Sequence, residues 1–223
     1  MTTTTMRKPH ADRPIEGLMA KWYANNTGEM MKEYVDLARK IASELPQGSS
    51  VLEVAPGPGY LCIELAKLGP YTITGMDLSR TFVKMATEKA AAAGLSARFI
   101  EGSASNMPFP KESFDFLLCR AAFKNFAQPV AALQEMCRVL KPGGRGLLID
   151  LSRDARPDDV SRALDKMELS PVNRFLTKMA FKTMLIRSAY TRTEFEQMFA
   201  QTKFANVDIV GDGMGFEITM TKS

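Results

Sequence analysis

The sequence predicts an α/β fold: a doubly wound, mostly parallel, seven-stranded sheet with an antiparallel hairpin at its carboxyl-terminal end. Two observations predict it. Between residues 51 and 151, short apolar segments alternate with segments of helical period, a pattern typical of β-α-β units whose helices cover both faces of a sheet. Towards the carboxyl terminus, two strand-like segments flank the turn Gly211-Asp212-Gly213 without an intervening helix, which indicates a hairpin.

The predicted elements follow one another in a regular order. Residues 15–45 carry helical patterning that residues 25–28 divide into two cap helices, and residues 46–48 end the second. Strands are then predicted at 51–54, 71–76, 97–101, 114–119 and 146–151, with helices at 60–67, 80–93 and 129–140. Two helices are predicted within 158–189, and one more at 193–201 precedes the hairpin strands 205–212 and 215–221.

These elements indicate a single domain, residues 15–223, preceded by a disordered tail, residues 1–14. Within the domain we expect the two cap helices at 15–45 and a helical lid inserted at 154–190, after the fifth strand. A chain of 223 residues is long enough to bury a full core in one such domain.

Composition excludes several functional classes. The net charge of +4 is mild and gives no argument for a nucleic-acid partner. No apolar run approaches the roughly 20 residues of a membrane span, and the first residues lack the apolar core of a signal peptide, so a cytoplasmic location is predicted. The three cysteines have no metal-type spacing and His10 is the single histidine, so no metal site is expected.

Residues 51–65, VLEVAPGPGYLCIEL, combine a strand, a glycine-containing turn and the start of a helix. Glycines at positions 57 and 59 remove side chains where a ligand would touch the backbone. Backbone amides at the start of the helix favour an anionic group, and Pro56 and Pro58 restrict the loop through their fixed φ. This arrangement predicts a site for a nucleoside-type cofactor.

Asp77 comes directly after the second predicted strand. A carboxylate there can accept two hydrogen bonds from vicinal ribose hydroxyls, each contributing about 1.5–3 kcal/mol. Alternatively, Asp77 caps the helix that follows, a role that Ser79 can also fill. The neighbouring Leu78 is placed to pack on a nucleobase.

Five segments in this order resemble the class I S-adenosylmethionine-dependent methyltransferases, in the small-molecule group that includes the ubiquinone- and menaquinone-biosynthesis methyltransferases. They are VLEVAPGPG at 51–59, TGMDLS at 74–79, FIEGSASNMPFP at 99–110, SFDFLLCRAAFKNF at 113–126 and EMCRVLKPGGRGLLID at 135–150. The resemblance covers residues 15–221. It implies a Rossmann-like fold, S-adenosylmethionine as cofactor with S-adenosylhomocysteine as product, and no metal.

The resemblance also implies which residues hold the cofactor. Glu53 orders the loop, and Ala55 stands where the family more often has glycine. Many relatives place an acid near the position of Ser103 to hold the adenine amino group, so here serine or a backbone group must serve. The implied cofactor-binding residues are Tyr23, Glu53, Ala55, Gly57, Gly59, Asp77, Leu78, Gly102, Ser103, Ala104, Cys119 and Arg120.

The substrate side is implied to begin after the fourth strand, at Phe123, Lys124 and Asn125. Many relatives carry histidines there and this chain has none, so Lys124 and Asn125 can equally be a solvated lysine and a turn asparagine. Methyl transfer releases a neutral thioether and needs a base only when the acceptor proton has a high pKa. The catalytic candidates are Tyr23, Lys124 and Tyr190; Tyr23 can alternatively cover the cofactor.

The leading hypothesis is in-line methyl transfer to a small-molecule or lipid-like acceptor. The missing histidines keep open an S-adenosylmethionine-binding protein without methyl transfer, either a cyclase-type enzyme or a regulatory binder. A dinucleotide dehydrogenase is disfavoured because Cys62 stands where its fingerprint needs glycine. A nucleic-acid methyltransferase is disfavoured because residues 120–123 replace the Asn/Asp-Pro-Pro-aromatic tetrapeptide.

The stretch 171–192 contains five basic residues and no acid: Arg174, Lys178, Lys182, Arg187 and Arg192. It is typical of a lid helix with a solvated basic edge. Alternatively, it faces an anionic or lipid-like substrate or makes a peripheral contact with a membrane surface. The sequence leaves the identity of the acceptor and the oligomeric state open.

Overall fold

The computed structural model describes residues 12, 14–28, 31–156, 158–159, 188–211 and 213–223. The predicted tail, 1–14, and the predicted lid, 154–190, lie for the most part outside these described residues. The same is true of the basic stretch 171–192. The division into tail, cap and lid therefore stays a prediction.

The described residues form a seven-stranded sheet of order β3-β2-β1-β4-β5-β7-β6. Strands β1 to β5 are parallel to one another, whereas β7 runs antiparallel to both β5 and β6. The strands are β1 (Ser50–Val54), β2 (Thr72–Asp77), β3 (Arg98–Glu101), β4 (Phe114–Arg120), β5 (Leu140–Leu151), β6 (Phe204–Gly211) and β7 (Gly215–Lys222). This confirms the predicted mixed sheet and its carboxyl-terminal hairpin.

Helices cover both faces of the sheet. They are α1 (Gly17–Gly28), α2 (Met31–Glu44), α3 (Tyr60–Ala66), α4 (Arg80–Ala92), α5 (Pro129–Val139) and α6 (Arg192–Phe199). Apolar residues of α2, α3 and α4, among them Ile41 and Leu61, form the core on one face. Residues of α5 and α6, such as Leu133 and Phe195, form the core on the other. The sheet is therefore doubly wound, as predicted.

The order of the strands reverses beside β1. The chain passes from β1 outward to β3, then returns to place β4 on the other side of β1. In open α/β sheets, ligands bind at such a switch point, outside the carboxyl ends of the strands. The loops after β1, β2 and β4 all lie at this edge, which is where the sequence placed its candidate residues.

Two local predictions differ from the structure. Strand β5 begins at Leu140 rather than 146, because Leu140 already pairs with Phe114 across a register irregularity and continues through the Lys141–Gly144 segment. In α1 the apolar residues Leu18 and Trp22 are exposed, while Ala20 and Ala24 are buried. Helix α1 thus packs through small side chains, and its large apolar residues do not mark the buried face.

Gly59 fixes the packing at the start of α3. Its φ is +78°, and a Cβ at this position would lie 2.7 Å from Cβ of Ala86 on α4 and 3.0 Å from the ring of Phe99 on β3. Any side chain would therefore separate α3 from α4 and β3. The second glycine of the predicted cofactor loop thus has a packing role.

We expect Gly59→Ala to lower the free energy of unfolding by about 2–5 kcal/mol, because it combines a left-handed backbone with overpacking. Gly94→Ala is the matched control, since Gly94 has a φ of +68° but open space around it. The control should lose only about 1–2 kcal/mol. Urea denaturation measures both, and equal losses would show that close packing at Gly59 contributes nothing.

Candidate cofactor and active site

The loop after β1 has a left-handed backbone conformation at Ala55 and Gly57. Ala55 has a φ of +57°, in the left-handed region that favours glycine, which explains why glycine is the commoner residue there in the resembling family. Its amide donates to the carbonyl of Met76 at 2.8 Å. A Cβ on Gly57 would meet only Cε1 of Tyr23, 3.9 Å away. The turn around Gly57 therefore presents bare backbone beneath the Tyr23 ring.

Asp77 joins this loop to the end of β2. Its side chain is buried, with Oδ2 accepting from the Gly57 amide at 2.9 Å and Oδ1 from the Ser79 amide at 2.8 Å. Burial raises the pKa of the Asp77 carboxyl, in spite of these hydrogen bonds. The cap of α4 is Ser79, whose hydroxyl accepts from the Phe82 amide. Asp77 is thus not the helix cap, and its carboxylate oxygens retain acceptor capacity for a ligand.

Glu53 lies at the end of β1 and is buried. The thiol of Cys62 donates a hydrogen bond to Oε2 of Glu53 at 2.9 Å. Burial raises the pKa of Glu53 to about 7, although the Cys62 thiol and the charge of Arg120 oppose the shift. The cysteine that argues against a dinucleotide fingerprint is therefore a hydrogen-bond partner of the acid beneath the loop.

The residues after β3 are held mainly by their own loop. The Gly102 amide donates to the Asp77 carbonyl at 3.0 Å, and a Cβ on Gly102 would clash with Sδ of Met76 at 2.6 Å. The Ser103 hydroxyl is 3.0 Å from that of Ser105. Ala104 packs against the core, and Leu78 is half-buried. The structure therefore places Gly102 beside Asp77 and pairs Ser103 within its own turn.

Tyr23 covers the site from α1. Its ring packs edge-on against Phe82, with centroids 5.7 Å apart, and burial raises the pKa of its phenol. The charges of Arg120, Asp77 and Asp150 also act on this phenol, so Tyr23 lies among the groups at the ends of β2, β4 and β5. The structure thus brings Tyr23 together with Gly57, Asp77 and Arg120.

Contacts that the sequence analysis missed hold α1 in this place. Glu16 accepts from the amides of Arg80 and Thr81, and the Ser79 hydroxyl donates to the carbonyl of Ile15 at 2.6 Å. The Tyr60 hydroxyl donates to the carbonyl of Ala24 at 2.9 Å. An acid just before a helix gives no signal of its own in a sequence, because its partners lie 64 and 65 residues away.

Arg120 ends β4 and ties the sheet to α2. Its Nη2 is 2.7 Å from Oε2 of Glu33, and its guanidinium lies 4.7 Å from the ring centroid of Tyr34. The preceding Cys119 is fully buried in the core, and burial raises the pKa of its thiol well above the ordinary range. Cys119 can therefore reach a ligand only through its backbone.

The predicted substrate residues differ in their surroundings. Phe123 is fully buried against Phe126, Phe195 and Tyr190, with centroids 5.4–5.8 Å apart. Lys124 is buried and paired with Asp150, whereas Asn125 is exposed. The structure therefore brings Phe123 and Tyr190 together and buries Lys124. Of the three predicted substrate residues, Asn125 is the one with an exposed side chain.

Within the ranges that the structure describes, no group of three or more His, Cys, Asp or Glu side chains could hold a metal ion. None of the described helices is long and apolar enough to cross a membrane.

Comparison with known proteins identifies the family. Residues 52–148 match the family model described as a methyltransferase domain. The chain is 30% identical over 231 aligned positions to the demethylmenaquinone methyltransferase of Listeria monocytogenes serotype 4a, an alignment that covers 98% of this chain and 96% of the relative. The chain belongs to the class I S-adenosylmethionine-dependent methyltransferases. Within that family it is of the menaquinone and ubiquinone type, as the sequence predicted.

Other methyltransferases show the same relationship over different lengths. The demethylmenaquinone methyltransferase of Deinococcus radiodurans is 45% identical over 101 residues, which are 45% of this chain and 42% of that relative. The chain thus spans less than half the length of that relative in the alignment. A solved structure from Methanococcus maripaludis, assigned to the S-adenosylmethionine-dependent methyltransferases, has a TM-score of 0.75 at 20% identity and 96% coverage of both chains. This last likeness confirms the Rossmann-like methyltransferase fold.

We expect Asp77→Ala to weaken S-adenosylmethionine binding by about 10- to 100-fold, because one or two charged hydrogen bonds are lost. Titration calorimetry measures this affinity, and NAD is the negative control for the wild type. Because Asp77 also holds the Gly57 amide, Asp77→Asn provides a second variant that keeps one carbonyl acceptor. Unchanged affinity in both variants would contradict a ligand role for Asp77.

We expect the stability of the ligand-free protein to fall as the pH rises from about 4.5 to about 7, because folded Glu53 holds its proton longer than unfolded Glu53 does. The penalty approaches about 3 kcal/mol above that range. Urea denaturation measures the free energy of unfolding of the wild type and of Glu53→Gln, which still accepts from Cys62. Plotted against pH, the two free energies should therefore give curves that diverge as the pH rises. Parallel curves would contradict a raised pKa for Glu53.

Proposed function

We propose that the protein transfers a methyl group from S-adenosylmethionine to a quinone-like aromatic acceptor, most specifically a reduced demethylmenaquinone. The observation that carries this is the full-length match to a demethylmenaquinone methyltransferase, which covers 98% of this chain, together with the site at the ends of β1, β2 and β4. Both the segments of the cofactor site and the segments of the acceptor side fall inside that match.

The residues at the edge of the sheet fit this cofactor. The bare backbone turn at Gly57 suits the close approach of the methionine part, and Asp77 suits the ribose hydroxyls. The buried acids Glu53 and Asp77 are costly to ionise without a cation nearby. A sulfonium and an ammonium are such cations, and their binding would favour the charged forms. Tyr23 would cover the bound cofactor and exclude water.

The cofactor supplies an electrophilic methyl group on a sulfonium whose leaving group is a neutral thioether. The chain's own residues therefore act mainly by holding the acceptor carbon in line and keeping the site dry. A quinone ring is electron-poor, so the acceptor must be the reduced quinol, which becomes nucleophilic when a hydroxyl is deprotonated. In this proposal a ring carbon gains the methyl group as the methyl–sulfur bond breaks, and then loses its own proton, which restores the aromatic ring. The oxygen regains a proton, so that one proton is released for each methyl group transferred.

The described candidates for a base differ in suitability. Burial raises the pKa of the Tyr23 phenol, so this side chain stays protonated near neutral pH and serves as a hydrogen-bond donor or a cover. Lys124 is engaged by Asp150 and by a backbone carbonyl. Tyr190 packs against Phe123 and Phe195, so its phenol lies beside the predicted acceptor segment.

The experiment is incubation of the purified protein with S-adenosylmethionine and a short-chain demethylmenaquinol under reducing conditions, followed by mass spectrometry. We expect the quinol to gain one methyl group and S-adenosylhomocysteine to form in equal amount, with Asp77→Ala much slower at limiting cofactor. Catechols, amines and phospholipids are the comparison acceptors. Cofactor binding without methylation of any acceptor would instead support the non-methylating alternative, a cyclase-type enzyme or a regulatory binder.

A further inference from the structure

An ion pair is buried beneath the segment that leaves β4. Nζ of Lys124 is 3.0 Å from Oδ1 of Asp150, and the two side chains are only 5% and 1% exposed. Asp150 lies near the carboxyl end of β5, and Lys124 lies four residues beyond the end of β4. The pair therefore lies at the same edge of the sheet as Asp77 and Glu53.

The polar atoms of this pair bind the backbone of the segment itself. Oδ2 of Asp150 accepts from the Lys124 amide at 2.8 Å, and Oδ1 also accepts from the Leu151 amide. Nζ of Lys124 donates to the carbonyl of Ala121 at 2.5 Å. Ala121 has a left-handed φ of +58°, and its amide donates to the carbonyl of Ile149. Both ends of the turn, Ala121 and Lys124, are thus fastened to β5.

The fastened segment follows β4 at the carboxyl edge of the sheet, where the proposed function places the cofactor and the acceptor. It begins at Arg120, which contacts α2, and it ends in the short 3₁₀ helix Phe123–Asn125. Asp150 is also close enough to Tyr23 to add to the pKa rise of its phenol, after burial, which is the main cause. The pair therefore lies at the edge of the sheet that Tyr23 also occupies, and one member, Lys124, belongs to the predicted acceptor segment.

Stability is a weak reason for such a pair. Desolvation of two buried charges offsets much of their attraction, and well-packed apolar residues of similar size often replace a buried pair without loss. Apolar residues could not, however, bind the Ala121 carbonyl and the Lys124 amide. The ion pair therefore holds the backbone after β4 in one conformation, which an apolar pair would not do.

We propose that Lys124 and Asp150 are positioning residues that hold residues 121–126 in the conformation which aligns the acceptor with the transferred methyl group. This rests on the proposed function for its kinetic consequence alone. Lys124 acts through the backbone and does not itself remove a proton or touch the substrate. The pair has no net charge, so removing both members leaves the electrostatic attraction of the cofactor cation largely unchanged.

The test is the double variant Lys124→Met with Asp150→Leu, which leaves no unpaired buried charge. We expect a thermal midpoint moderately below that of the wild type, because the Lys124 amide and the Ala121 carbonyl lose their side-chain partners. Cofactor affinity should stay within about threefold, but kcat should fall by about 10- to 100-fold, because small displacements of a reacting pair cost that much. Hydrogen exchange of residues 120–126 should become faster. The single variant Lys124→Met should be less stable than the double variant, since it leaves Asp150 unpaired.

The control is Lys141→Met with Asp115→Leu, a partly exposed lysine–aspartate pair that joins β5 to β4 at the opposite, amino-terminal edge, with N–O distance 2.8 Å. It should leave kcat and the exchange of residues 120–126 unchanged. A double Lys124/Asp150 variant with wild-type kcat overturns the proposal. If the wild type methylates no quinol, the proposed function is wrong, but the positioning role can still be tested by hydrogen exchange. If residues 120–126 exchange at the same rate in the double variant as in the wild type, the positioning role is overturned.

Discussion

The hydrogen bond from the Gly57 amide to Asp77 joins two loops that are 20 residues apart in sequence. It forms only because β1 and β2 are parallel neighbours, so that Val54 and Met76 are register partners and their loops leave the sheet side by side. The other carboxylate oxygen holds the Ser79 amide, and the Ser79 hydroxyl in turn caps α4 and binds the carbonyl of Ile15. One buried carboxylate thus links the cofactor loop, α4 and the chain leading into α1.

Buried charges are concentrated at this edge of the sheet. Glu53, Asp77 and Asp150 are all buried there, and burial raises the pKa of the first two. Groups that are expensive to ionise in the ligand-free protein are the groups that a cationic ligand stabilises most. Asp150 has its cation already, in Lys124, whereas Glu53 and Asp77 are held mainly by hydrogen bonds. In the proposed function, this difference separates the acids suited to the cofactor from the acid that holds the backbone.

Much of the fold and of the cofactor loop was predictable because the signals are local. The positions of β1, α3 and α4 follow from apolar period and from a serine cap, and the structure confirms Ser79 as that cap. Other features depend on partners far along the chain. The early start of β5 requires Phe114, and the burial of Ala20 and Ala24 instead of Leu18 and Trp22 depends on where α1 packs. A helical period shows how apolar residues are spaced along a helix, but it does not show which face of the helix packs against the rest of the protein.

The sequence by itself determined the fold class and the residues at the edge of the sheet, because motifs of glycine, acid and apolar period report local conformation. The family followed from the resemblance of five of its segments to known methyltransferases. Only the tertiary structure decided what several of those residues contact. Gly59 packs against Ala86 and Cys62 binds Glu53. Lys124, which the sequence predicted to be either a substrate contact or a solvated lysine, is buried and paired with Asp150. The physical reason is that hydrogen bonds and ion pairs between strands form where parallel pairing brings their ends together, and spacing along one chain does not record that distance.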